Sequence, residues 1–389
     1  MPDSIFDELE STLTCGGVEP ALVQLAEHFR AERRYHELFD TRLMQARRQL
    51  GLPIVLTSPL DELPEPERSQ LEDAYLEACR EVGRLLLDEG KVREAWVYLR
   101  PTDQASAVAK ALEKMEPTDD NLSDLIGVAL HEGVAPAYGY SLILSHYGTC
   151  NAITTFDAEL GRFRRQDQQA AAALLLRQMH ADLTENVRAH IKQQEAAEPG
   201  AAATTADATL DELVADREWL FEGGNYHLDT THLSSAVRIA RIVENPELIR
   251  LAWELTEYGR RLDTQYQFAG EEPFADVYPS HGFFYSAQLG KHVDEAVAYF
   301  RQKAESVTID NAGSMPAETY IALLARLGRL QEAMEASVRL LPAGTRTSGF
   351  APSLLELSKL ADDYAVLRDS SRQRGELLAY AVALIAGQS

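Results

Sequence analysis

The sequence predicts an all-α protein, a right-handed α-solenoid of stacked helical hairpins arranged in two lobes. Three observations lead there. A phrase recurs: Gly90–Tyr98 reads GKVREAWVY, Gly328–Ala336 reads GRLQEAMEA, and Lys291–Phe300 reads KHVDEAVAYF. Each copy follows one helical run and opens another, as repeated helix–turn–helix units do. Strand patterning is almost absent, Pro53–Leu56 being the best short candidate. Glycine and proline punctuate the apolar runs at helical lengths.

The elements follow in order. Leu22–Arg30 and Tyr35–Leu50 read as a first helical pair, and Pro59, Pro64 and Pro66 make Pro53–Pro66 a loop. Arg68–Asp88 and Val92–Leu99 form the next pair, broken at Gly90. Asp103–Met115 ends before Pro117, and Asn121–His131 is closed by Gly133. Pro136 takes a favourable first-turn position in the apolar run Ala135–Ser145, which Gly148 ends. Thr154–Gln193 reads as one long helix. Gln194–Asp207 is rich in small residues with no core-forming face and reads as a flexible linker. It divides an N-terminal lobe, 1–193, from a C-terminal lobe, 208–389. In the second lobe the expected helices are Leu210–Phe221, Thr231–Glu244, Pro246–Arg261, His281–Leu289, Val293–Ser306, Ala317–Leu327 and Gln331–Leu341, with two or three more after Pro352.

Composition sets bounds. The net charge is −24, from 61 acidic against 37 basic side chains, and such a field repels phosphate backbones. Nucleic acid is therefore not an expected partner. Cys15, Cys79 and Cys150 are odd in number and far apart, with no CxxC spacing, which favours a reducing compartment. No signal-peptide pattern opens the sequence and no apolar run reaches the ~20 residues of a membrane span, so the expected address is the cytoplasm. Oligomeric state is not legible.

The stretch Tyr75–Thr102 resembles a tetratricopeptide (TPR) unit. Gly83, Gly90, Ala95 and Leu99 stand at that family's small, turn, small and large apolar positions, while Cys79 replaces its first-helix tryptophan. Ala296 and Phe300 fit the same frame, with Gly290 one residue early and Phe284 at the small position. Gly328 and Ala333 fit in a third copy, where Ile321 and Ser337 depart. Close packing is the physical content: Gly83 and Ala95 are expected to face each other across a tight hairpin. The resemblance implies a binding module or scaffold that engages a protein or peptide partner on a concave helical surface, with no cofactor.

Three polar segments lie outside this grammar: His131–Asp157, Glu222–Ser235 and Asp276–Tyr285. Their candidate binding residues are Tyr140, Asn151, Asn225, Tyr226, His227, Asp229, His232 and His281. The alternative function is a metal-dependent hydrolase on the helical frame. Zinc or a similar divalent ion would then be held by some of His131, His146, His227, Asp229 and His232, all competent ligands. Plainer roles compete at each position. Asp229 or Thr230 suits a helix N-cap, His232 lies in line with Ala236, Ile239 and Val243, and His131 and His146 fall near helix C-termini. Cys150 with a nearby histidine is a further nucleophile candidate, against the plain reading of a small hydrophobe. Convergence of the three segments on one pocket would favour an enzyme.

Overall fold

The computed structural model describes residues 4–55, 63–195, 208–307 and 313–387. They form an all-α chain without strands; the one extended pairing is an isolated antiparallel bridge between Ala269 and Asp276. Contacts divide the chain into two compact units, 1–146 and 147–389. Most of the proposed linker, 196–207, lies outside the described residues.

In the N-terminal unit, α1 (Ile5–Gly16), α2 (Val18–Ala31), α3 (Tyr35–Gln49), α4 (Glu67–Asp88) and α5 (Val92–Leu99) pack each on the next. Such nearest-neighbour packing is the behaviour of a stacked helical array. The first helix escapes sequence patterning but not capping chemistry. Ser4 accepts from the Asp7 amide, and the Asp7 carboxylate answers the Ser4 amide. α6 (Ala105–Leu112) and α7 (Leu122–Ile126) follow, the latter running into a π-helical turn, Gly127–His131.

At Gly83 the nearest neighbour across the α4–α5 hairpin is Leu99. A Cβ at Gly83 would lie 2.4 Å from Leu99 Cγ, so the glycine's missing side chain is replaced by Leu99, one turn beyond Ala95. Ala95 is fully buried nonetheless.

α8 (Pro136–Glu159) begins at the proline and is interrupted at Gly148, whose φ of 80° is not helical. The long helix expected over Thr154–Gln193 is two elements. The chain breaks at a 3₁₀ turn, Leu160–Arg162, and an extended Phe163 before α9 (Arg165–Glu195) begins. Leu160 is fully buried at that break, and Gly161 beside it weakens helical continuity. One face of α9 buries Ala172, Leu175, Leu176, Met179, Leu183, Val187 and Ile191, the i, i+3, i+4 stripe of a helix packed along its length.

That stripe meets α10 (Leu210–Val214), α11 (Thr230–Ile239) and α12 (Pro246–Arg260). Asn245 caps α12 and Pro246 opens it. α13 (Val277–Gln288) starts four residues before the expected His281, because Pro279 sits within the first turn, where its missing N–H costs nothing. α14 (Val293–Ser306), α15 (Met315–Arg326), α16 (Leu330–Leu340), α17 (Leu354–Ala361), α18 (Ala365–Arg374) and α19 (Leu377–Ala386) complete the chain.

The three copies of the repeated phrase share one turn. Gly90, Gly290 and Gly328 have φ of 76°, 77° and 73°. In each, the glycine amide reaches three residues back, to Leu87, Ala287 and Ala325, and the next amide reaches five back, to Leu86, Ser286 and Leu324. This is the Schellman closure of a helix. The extra residue in the middle copy is absorbed by His292, which adopts left-handed φ/ψ ahead of α14.

Candidate functional site

The C-terminal unit holds a cavity of about 530 Å³ lined from α11, the turn that follows it, the 268–274 loop and α13. Asp229 sets the first wall. Its carboxylate accepts from the Thr231 and His232 amides at 2.9 and 3.0 Å and starts α11. Leu233, Ala236 and Val237 then point into the core, while Ser234, Ser235 and Arg238 line the cavity. Arg238 is neutralised by Asp157 through two hydrogen bonds of 2.9 and 2.7 Å.

Arg241, one turn further, is different. Its Nε donates to the Arg238 carbonyl at 2.8 Å, and its guanidinium lies 4.8 Å from the centre of the Phe274 ring. Among the described residues no carboxylate is within ion-pair distance of it, and its terminal nitrogens hold no protein acceptor. Desolvation lowers its pKa to about 10, so it remains a cation at neutral pH.

The opposite wall is turned by a tight loop. The Gly270 amide donates to the Ala275 carbonyl at 2.8 Å, and a Cβ at Gly270 would lie 2.5 Å from the Phe274 carbonyl oxygen. Only glycine fits that approach. Phe274 stacks on His281 with ring centres 4.2 Å apart. His281 is 1% exposed, and its Nδ1 donates to the Val277 carbonyl at 2.6 Å. Burial, and then the charge of Arg241, hold its pKa down to about 3. The ring is therefore neutral, with its proton on Nδ1 and an acceptor lone pair on Nε2, which is buried and without a partner. Glu271 and Glu272 complete this wall. Glu272 Oε1 accepts from Lys303 at 2.8 Å, whereas Oε2 is buried without a partner.

A second polar cluster surrounds His227. Its Nδ1 lies 2.7 Å from the Tyr258 hydroxyl and its Nε2 2.8 Å from His190 Nδ1. Its backbone amide also donates to Tyr258 at 3.0 Å, and its carbonyl accepts from Asn186. Desolvation, then His190, push its pKa down to about 4. Burial raises that of Tyr258. These contacts to His190 and Asn186 on one side and Tyr258 on the other pin 225–229 to α9 and α12.

The other nominated residues scatter. Tyr140 is fully buried in the N-terminal unit. Asn151 is exposed and donates to the Tyr147 carbonyl. Asn225 is exposed, and Tyr226, half-exposed, meets Tyr266 edge-on. His232 is half-buried at the start of α11, and Cys150 is exposed. His131 and His146 are exposed in the N-terminal unit, apart in the chain's division from His227, Asp229 and His232. Among the described residues no group of three or more His, Cys, Asp or Glu side chains is placed to hold a metal ion.

Two of the three polar segments meet at the cavity, at their edges. Ser234 with Ser235 and Val277 with His281 line the cavity, Asp157 touches it only through its pair with Arg238, and His227 and His232 do not line it. Arg238, Arg241 and Phe274 were not singled out from sequence. Their signal was present: two arginines three apart in the otherwise apolar run AVRIARIV, Ala236–Val243. His190, partner of His227, had no such signal.

The fold and this cavity define the class as an all-helical protein of stacked helix pairs, compatible with a helical repeat. No family model, curated protein or solved structure matches the chain.

Proposed function

We propose that this protein is a non-covalent binding module, built on a right-handed, TPR-like stack of hairpins in two lobes, that engages a peptide or protein partner. The observation that carries the reading is the cavity of about 530 Å³ with hydrogen-bonding groups still unspent on its walls. Its volume lies in the range of pockets that enclose a small molecule or a few residues of a peptide. Arg241 and Phe274 supply a cation and an aromatic face, the residue types that dominate recognition hot spots. Concave helical surfaces of stacked hairpins serve such partners generally.

A synthetic library of short peptides with free C-termini tests the reading. The native protein is expected to select a subset, and Ser235→Trp, which places an indole in the cavity, is expected to lose it. Retention of the same peptides by the blocked variant, or no selection by the native protein, overturns it.

A further inference from the structure

We propose that the Arg241–His281 cavity is a recognition site for a carboxylate that carries an N–H donor beside it, the chemistry of a peptide C-terminus or a free amino acid. This rests on the binding-module reading for its choice of the peptide source, but the site itself is argued from its walls.

Arg241 is the anchor. Desolvated cations are normally paired; Arg241 is not, whereas the more exposed Arg238 is, by Asp157 in a two-bond contact. Arg241 lines the cavity and donates only its Nε, to a carbonyl, with no carboxylate in ion-pair range of its guanidinium among the described residues. The two terminal N–H groups of a guanidinium, here 4.8 Å from the centre of the Phe274 ring, form the fork that a carboxylate takes in bidentate fashion.

Other lining residues of the same cavity ask for the opposite chemistry. His281 is almost wholly buried, its Nδ1 spent on Val277, and its Nε2 is an orphaned acceptor. Glu272 Oε2 is an orphaned acceptor as well, and Glu271 adds negative charge. Orphaned buried polar atoms are rare in folded proteins and each calls for a partner. A simple inorganic anion would satisfy Arg241 and be repelled by the two glutamates. A group with a carboxylate at one end and N–H at the other satisfies both walls. The last residue of a peptide presents both, separated by a single Cα; so does a free amino acid, as an ammonium.

Calorimetric titration with N-acetyl-alanine, alanine, propionate and N-acetyl-alanine methylamide tests this. In parallel, the ring nitrogens of a histidine-labelled protein are followed by NMR. N-acetyl-alanine or alanine is expected to bind with Kd on the order of 1 mM or better, a modest demand for ligands of that size, and to shift the His281 Nε2 resonance. Arg241→Gln is expected to weaken binding about tenfold or more, as loss of a charge-assisted pair does. Preference for N-acetyl-alanine identifies a chain terminus as the source, and preference for alanine a free amino acid. Both results support the site. Binding of the methylamide as tight as that of the acid, or silence at His281 with all four compounds, overturns it. The comparison among ligands uses native protein, so a misfolded Arg241→Gln variant cannot decide the matter. Peptides selected through the cavity without need of a free carboxylate would sink this inference and leave the binding-module reading standing. Alanine bound at Arg241 with no peptide selected would do the reverse.

Discussion

Leu99 occupies the space that a side chain at Gly83 would need. A Cβ built on Gly83 falls 2.4 Å from Leu99 Cγ and 2.6 Å from one of its methyls, well inside contact distance. Leu99 is 1% exposed and cannot swing away. The hairpin of α4 and α5 is thus held at a spacing that only glycine permits.

Gly83→Ala therefore sets two effects in opposition. Alanine gains about 1 kcal/mol of helix propensity over glycine, while overpacking costs about 1–3 kcal/mol. The clash is severe and the site closed, so net destabilisation is expected, read as a lower urea midpoint. Leu99→Ala is expected to destabilise by about 2–5 kcal/mol alone, and the double variant by less than the sum of the two. Additive losses would show that the contact does not set the hairpin's spacing.

Acid is expected to weaken the C-terminal unit. An unfolded histidine takes a proton near pH 6.5. His281 in the fold refuses one until about pH 3, and His227 until about pH 4. Between those values the unfolded chain binds more protons. Stability therefore falls as pH drops below about 6.5 and is unaffected by these groups above 7. The slope approaches about 1.4 kcal/mol per pH unit for each fully discriminating ring. Urea denaturation at pH 7 and pH 5 reads it. His281→Phe, which keeps the stack on Phe274, should flatten the dependence. An unchanged slope in that variant would assign the acid sensitivity elsewhere.

Glu318 is expected to be the most damaging single carboxylate to remove. It is fully buried in α15 and accepts from the Ser314 hydroxyl at 2.7 Å, the Ser348 amide at 2.7 Å and hydroxyl at 3.0 Å, and the Phe350 amide at 2.9 Å. Glu318→Ala leaves those donors without acceptors, at roughly 1–3 kcal/mol for each buried group left unsatisfied. The 348–351 segment should lose amide-exchange protection first. Protection there at the native level would mean that Phe350 packing, not Glu318, holds the segment.

Local chemistry made much of this protein legible in one dimension. The Schellman turns at Gly90, Gly290 and Gly328 depend on a glycine and the residues within five positions of it. Their sequence signature is accordingly complete, and the hairpins they close were predicted. Asp229 was readable as an N-cap for the same reason. The break at Leu160–Arg164 was not, although Gly161 within it is a weak stop signal, and Leu160 is buried there.

The sequence by itself determined the helical class, the hairpin turns and most caps, since backbone hydrogen bonding and capping act over a few residues. Tertiary structure alone decided the cavity. Arg238, Arg241, Phe274 and His281 lie on separate elements, and they line one cavity because α11 and α13 pack together. It also decided the chemistry of each group. Arg238 and Arg241 are the same residue three positions apart, yet one is neutralised and one is not. His281 is a neutral acceptor because burial beside a guanidinium penalises its charge. Desolvation and Coulomb energy depend on three-dimensional surroundings, which residue order specifies only through the completed fold.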